Sequence, residues 1–314
     1  MKKKLKLLAL IPVLLLSTSC DFLDKILGKN KEEETQMNSV NVIIISGQSN
    51  AVGCKASENL IKSMGQAKYD EYNAGYENIK IAYSNWTVDY NSPARPVTLQ
   101  NSSTGGDFVK VKLGYGNNTK NFGPEVGIAE ELHERWGDKL YIIKCGCGGS
   151  NLNDDWADTN EFMHKQLIEY VSARMEALKR KGLNPYLRAF CWIQGEGDSY
   201  PNYWPYYYDN MVRFKESIDK KLLQYTENNV LPFVDAGIGR GTHPDTGKDE
   251  WVYYKEVNDS KKDFAKLSPS YVYFDTIEAG LHSNQEDPDD VHYDSDSQIQ
   301  LGHLCAQNLE QFLK

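Results

Sequence analysis

The chain has 314 residues, of which 40% are hydrophobic and 20 are tyrosines, and its formal net charge is −9. That length suits one large domain with a short appendage. With Asp and Glu outnumbering Lys and Arg, no basic stripe exists to meet phosphates, which argues against nucleic acid as a partner.

At the N-terminus, Lys2, Lys3, Lys4 and Lys6 precede an apolar run from Leu7 to Leu16, and Ser17-Thr18-Ser19 leads into Cys20. The run is too short to cross a hydrocarbon core of about 30 Å, so residues 1–19 read as a secretory signal peptide. Small residues ending at a cysteine resemble a bacterial lipoprotein signal, although Ser17 stands where Leu is usual. The expectation is an exported protein held to a bacterial membrane by lipid on Cys20, facing the periplasm or the cell exterior. Ordinary cleavage, leaving Cys20 free, is the alternative. Residues 20–39 are polar with mixed charge and cannot bury enough surface to offset their ordering entropy. They read as a flexible tether, roughly 60 Å long at about 3.3 Å per residue. The folded domain is then 40–314.

Val40 to Ser46 is a nearly continuous β-branched run, the pattern of a strand buried on both faces of a parallel sheet. Residues 64–121 are rich in Tyr, Asn and Gly and read as an insertion that either covers the sheet or shapes a cleft. Pro124-Glu125 opens a helix whose buried stripe is Ile128, Leu132 and Trp136. Lys139 to Lys144 is a second strand. Leu167, Val171, Met175 and Leu178 mark another helix, closed by Gly182. Leu187 to Ile193, Val230 to Ala236 and Tyr271 to Asp275 are further strands, and Leu301, Cys305, Leu309 and Phe312 mark a last helix. Strands alternating with helices predict an α/β fold, a three-layer α/β/α sandwich around a five-stranded parallel doubly wound sheet. Six cysteines at irregular spacing (Cys20, Cys54, Cys145, Cys147, Cys191, Cys305) form neither a disulfide framework nor a zinc site, and one disulfide stays open.

Ligands of such sheets sit at the carboxyl ends of the strands. Gly47-Gln48-Ser49-Asn50-Ala51 follows the first strand, where Ser49 either caps a helix or presents a nucleophile. It lacks the second Gly of a Gly-x-Ser-x-Gly elbow. Cys145 to Ser150 supplies adjacent glycines that leave backbone N–H groups free for an anion, or simply a tight turn. Trp192 to Asp198 places the Gln194 amide at another strand end, where it either donates to an oxyanion or ties its own loop. Asp289-Asp290-Val291-His292 offers an imidazole and a carboxylate three residues upstream. That pattern fits a general base with its orienter, a solvated turn, or a cation site. The aromatic run Tyr200 to Tyr208 suits a sugar platform or a helix core.

Together with Phe122-Gly123-Pro124-Glu125, these segments resemble the SGNH hydrolase superfamily, in the branch of sialate O-acetylesterases and acetyl xylan esterases (carbohydrate esterases of the SASA type). The resemblance runs from Val42 to the C-terminus in the family's chain order. It implies a flavodoxin-like sheet and a serine-dependent carbohydrate O-acetylesterase, with an acetylated sugar as substrate and no metal or organic cofactor. It assigns Ser49 as nucleophile, His292 as general base and Asp289 as its orienter, with adjacent Asp290 as the alternative. The oxyanion hole would take the N–H of Ser49, that of Gly148 or its neighbour Gly149, and the amide of Gln194, which replaces the superfamily's Asn. Gln48, Asn50, Glu125, Trp156 and Glu196 are candidate substrate contacts. Ser150 stands where Thr is common and Gly197 where Ser or Ala is, and neither touches the chemistry. Two rivals remain: a lipid or thioester hydrolase on this scaffold, disfavoured by the polar insertion, and an inactive glycan-binding lipoprotein.

Overall fold

The first strand forms because helices cover both of its faces. In Ser39–Gly47 (β1), Val42 and Ile44 point into one core and Ile43 and Ile45 into the other, and every residue from Val40 onward is buried. Each such side chain contributes about 1.5–3 kcal/mol of burial. The computed structural model describes residues 38–157, 161–243, 245–283, 285–286 and 291–314. The expected signal peptide, Cys20 and nearly all of the expected tether lie outside them. Among the described residues no helix is long and apolar enough to cross a membrane.

After β1 come the short helix Ser49–Val52 (α1) and the strands Tyr76–Val88 (β2), Val97–Ser102 (β3) and Val109–Val111 (β4). Helix Glu125–Trp136 (α2), strand Leu140–Gly148 (β5) and the one-turn helix Leu152–Asp155 (α3) follow, then helix Phe162–Arg180 (α4) and strand Asn184–Ile193 (β6). The chain closes with Tyr207–Leu222 (α5), Phe233–Ala236 (β7), Tyr254–Ala265 (α6), Tyr271–Phe274 (β8) and Ser295–Leu309 (α7). The main sheet runs β8-β7-β6-β1-β5-β2-β3, with β4 also paired to β2. The pairs β1–β5, β2–β5, β6–β7 and β7–β8 are parallel, whereas β3 and β4 run antiparallel to β2.

Helices α2 and α7 close one core, where Ile128 and Leu132 meet Leu301, Cys305 and Leu309. Helices α4, α5 and α6 close the other through Leu167, Val171, Phe214 and Phe264. The three-layer α/β/α architecture is as expected.

The sheet is larger than expected. The five anticipated strands are β1, β5, β6, β7 and β8, but the 64–121 insertion, expected to cover the sheet or shape a cleft, also joins it, because its 13-residue strand β2 extends the sheet beside β5. Polar residues disguised it. Buried Asn85 spends its NH₂ on the carbonyls of Tyr115 and Gly116, while its Oδ1 has no partner among the described residues. Cys54, Cys145, Cys147, Cys191 and Cys305 are all free thiols.

Candidate active site

Strand register brings the chemistry to one edge. Gly47 at the end of β1 lies opposite Gly146 of β5, and Thr87 of β2 lies opposite Gly148. The Gln48 N–H donates to the Ile193 carbonyl at 2.9 Å, which ties the end of β1 to the end of β6. Gly47 has φ +138°, and any side chain there would run into that carbonyl. The turn therefore closes only around glycine.

Ser49 opens α1 and is 9% exposed. Its N–H has no partner among the described residues. Gln48, one residue earlier, accepts at Oε1 from the N–H groups of Gly195 (3.2 Å) and Gly197 (3.1 Å) and from Gln194 Nε2 (3.3 Å). Its own NH₂ has no partner among the described residues. Asn50, one residue later, is a bridge. Its Nδ2 donates to Glu196 Oε1 at 2.7 Å, and its Oδ1 accepts the Tyr293 N–H at 3.3 Å. Tyr293 follows His292, so Asn50 couples the Ser49 turn to both the β6 loop and the imidazole segment.

Gly149 has φ +71°, and its N–H also has no partner among the described residues. Ser150 turns its hydroxyl inward, donating to the Cys147 carbonyl at 2.7 Å. Glu196 is buried, with Oε2 unpartnered, and burial raises its pKa against the pull of Asn50, Lys261 and His292. The pull of His292 places the imidazole within electrostatic reach of Glu196. Asp198 is fully buried and accepts from the N–H groups of Leu152 (2.8 Å) and Asn153 (3.4 Å) and from the Gln194 amide. Burial still pushes it up to about 7. Asp289 and Asp290 lie outside the described residues.

Residues 39–311 match the profile of the SASA family, described as carbohydrate esterase, sialic acid-specific acetylesterase. The chain belongs to this family. It is a carbohydrate acetylesterase, a carboxylic ester hydrolase. None of the curated proteins matches the chain. Among solved structures, NanS shares the fold at a TM-score of 0.61 and 15% identity, covering 87% of this chain and 98% of NanS. A protein from Arabidopsis thaliana is similar at 0.56 and 18%, with coverages of 87% and 98%. XAC1771, described as a carbohydrate acetylesterase from Xanthomonas citri, is similar at 0.53 and 15%, where 87% of this chain spans 56% of that one.

Within this esterase, three expected roles change. The Gln194 amide is not available to an oxyanion, because its NH₂ donates to Gln48 and Asp198 while its carbonyl accepts from Tyr207 at 3.1 Å. Glu125 does not meet solvent. It is fully buried and pairs with buried Lys144 at 2.7 Å, and burial lowers the Lys144 pKa. Trp156 is likewise core, edge-on to Trp192 at 5.4 Å, with its indole N–H on Ser150 Oγ at 2.9 Å. Gln48, Asn50 and Glu196 line the site as its internal frame. Within the aromatic run, Tyr207 is buried at the start of α5, whereas Tyr200 is 41% exposed. A groove of about 700 Å³ is lined by Tyr206 and Tyr208 of that run and by Arg213, but by none of the residues assigned to the nucleophile, the base or the oxyanion hole.

Asp294 escaped the sequence reading. It immediately precedes α7 and looks like an ordinary cap, but its buried carboxylate turns back into the 282–293 loop. There it meets Lys55 (3.3 Å), His282 Nδ1 (2.8 Å) and the N–H groups of Gln285 and Glu286. The signal was available only as one more acid in an acidic stretch.

Proposed function

We propose that this acetylesterase works through a Ser49 acyl-enzyme. His292 takes the Ser49 proton as Oγ attacks the acetyl carbonyl, then returns it to the departing sugar oxygen. Water, activated by the same imidazole, frees acetate and restores Ser49. Asp289 is the assigned orienter of His292. The oxyanion is met by the N–H of Ser49, a glycine N–H from Gly148 or Gly149, and the Gln48 NH₂. Gln194 takes a supporting role, because it holds Gln48 by the carbonyl and so aims the donor outward. The observation that carries this reading is the Asn50 bridge, which joins the residue after Ser49 to the residue after His292.

The substrate is an acetylated sugar of the xylan or sialic acid type, a class consistent with the wording of the family description. Export and lipid anchoring through Cys20 complete the proposal, on the strength of the N-terminal pattern alone. Ser49→Ala tests the mechanism: acetate release from an aryl acetate should fall about 10⁴-fold or more in kcat, with an unchanged melt. Turnover close to that of the unaltered enzyme would remove Ser49 from the chemistry.

A further inference from the structure

The β2–β3 hairpin tip, residues 89–96, arches over the glycine turn. It is pinned there by Arg95, whose guanidinium pairs with Asp155 of α3 at 2.5 Å and lies 3.9 Å from Asp154. Arg95 holds a positive φ of 42°, and the tip closes on itself through Asp89 N–H to the Pro96 carbonyl at 3.0 Å. These contacts set the position of Tyr90. A methyl group on Gly149 would come within 2.8 Å of the Tyr90 ring, so the ring lies edge-close to the backbone of the oxyanion turn. Yet Tyr90 is 65% exposed. A large aromatic side chain that leans on a candidate oxyanion glycine while staying largely exposed has no core to fill.

Other aromatics stand at the same rim. Tyr200, from the loop after β6, packs edge-on against Trp251 at 6.4 Å, and Trp204 stacks on Tyr253 at 5.7 Å. The Tyr253 N–H donates to Ser199 Oγ at 2.8 Å, which fastens this group to the β6 loop. Burial, Glu250 and Tyr90 all raise the Tyr200 hydroxyl, so Tyr90 and Tyr200 share one electrostatic neighbourhood.

We propose that Tyr90 is the sugar-stacking, specificity-determining residue of this esterase, presenting its ring to the pyranose that carries the acetyl ester. The inference rests on the Ser49 reading above. Once the acetyl carbonyl oxygen is held at the glycine turn, the ester oxygen leads the sugar out past Gly149, where the ring waits. The C–H-rich face of a pyranose is apolar and packs on an aromatic face, while its hydroxyls stay wet.

The test compares an ester on a ring with one lacking a ring: xylose tetraacetate and triacetin, with the full enzyme and its Tyr90→Ala, Tyr90→Leu and Tyr90→Phe variants. Tyr90→Ala and Tyr90→Leu should lose about tenfold or more in kcat/KM on xylose tetraacetate, mainly through KM. Both should stay within about twofold on triacetin, and Tyr90→Phe within about twofold on both. Equal losses on the two esters would make Tyr90 a prop for the glycine turn and overturn the proposal, as would no loss on either. Unaltered enzyme that cleaves triacetin but not the sugar ester would overturn the stacking role and leave the Ser49 chemistry standing. Cleavage of neither would sink the esterase mechanism beneath it.

Discussion

In the proposed mechanism Gln48 offers the sharpest division between holding the site together and stabilising charge, because its two amide ends are assigned different jobs. Oε1 takes three donors, two of them the backbone N–H groups of Gly195 and Gly197. Removing the side chain in Gln48→Ala orphans both N–H groups in a buried loop. At about 1–3 kcal/mol each, the loss of stability should reach about 2–6 kcal/mol before any water enters. Gln48→Glu keeps an oxygen where those donors point but removes the NH₂ and substitutes a group that repels a developing oxyanion. Losing one oxyanion donor costs about 10²–10³ in kcat, so Gln48→Glu should fall at least that far, and the melt shows separately what its buried carboxylate costs beside Glu196 and Asp198. Gln194→Ala should behave in the opposite sense, losing stability first, because its amide works inside the loop. Stopped-flow acetate release and a denaturant melt on the three variants decide the matter. A Gln48→Glu enzyme within about threefold of normal kcat would refute the assignment of Gln48 to the oxyanion.

Asp198 makes stability depend on pH. Its native pKa is about 7, raised by burial, against about 3.9 in an unfolded chain. Between those values the native state keeps a proton that the unfolded state has released, so stability declines as pH rises through that window. Asp198→Asn cannot titrate, and its melting temperature should fall less than that of the unaltered protein between about pH 5 and about pH 8. Asp235, raised by burial to about 6 despite Lys261, acts in the same direction in both proteins and cancels in the comparison. Parallel curves would show that Asp198 does not hold the proton. For the anchor, the full chain should take up radiolabelled palmitate and sediment with membranes, and Cys20→Ser should do neither. Identical fractionation of the two would remove the lipid.

The parts of the fold that could be read in advance are those where one physical pattern dominates. A β-branched run such as Val42 to Ile45 has few alternatives to a doubly buried strand, and Ile128 and Leu132 fall on one stripe because the helix period puts them there. Strand β2 failed that test, since Ser84 and Asn85 are polar yet buried, and the hydrogen bonds of Asn85 to distant loop carbonyls are invisible in the order of residues. The site divides the same way. The Ser49 and His292 segments were legible as motifs, and the Asn50 bridge joins the residues that follow each of them. Which NH₂ is spent inside the loop was not legible, because Gln48 and Gln194 are the same residue type and only their partners tell them apart.

Glu125 and Trp156 carry the same lesson further. Both belong to or adjoin segments typical of the family, and both are sealed inside the protein, one neutralised by Lys144 and the other packed beneath Ser150. Both residues therefore support the site from inside the protein and do not reach a substrate. On the Tyr90 proposal, substrate choice falls instead to residues outside the motifs, on loops whose position is set by a few pins such as Arg95 on Asp155. It follows that relatives sharing this frame should differ in sugar preference mainly where the hairpin at 89–96 differs. Exchanging that tip between two such enzymes should carry preference with it while leaving turnover of a ringless acetate in place.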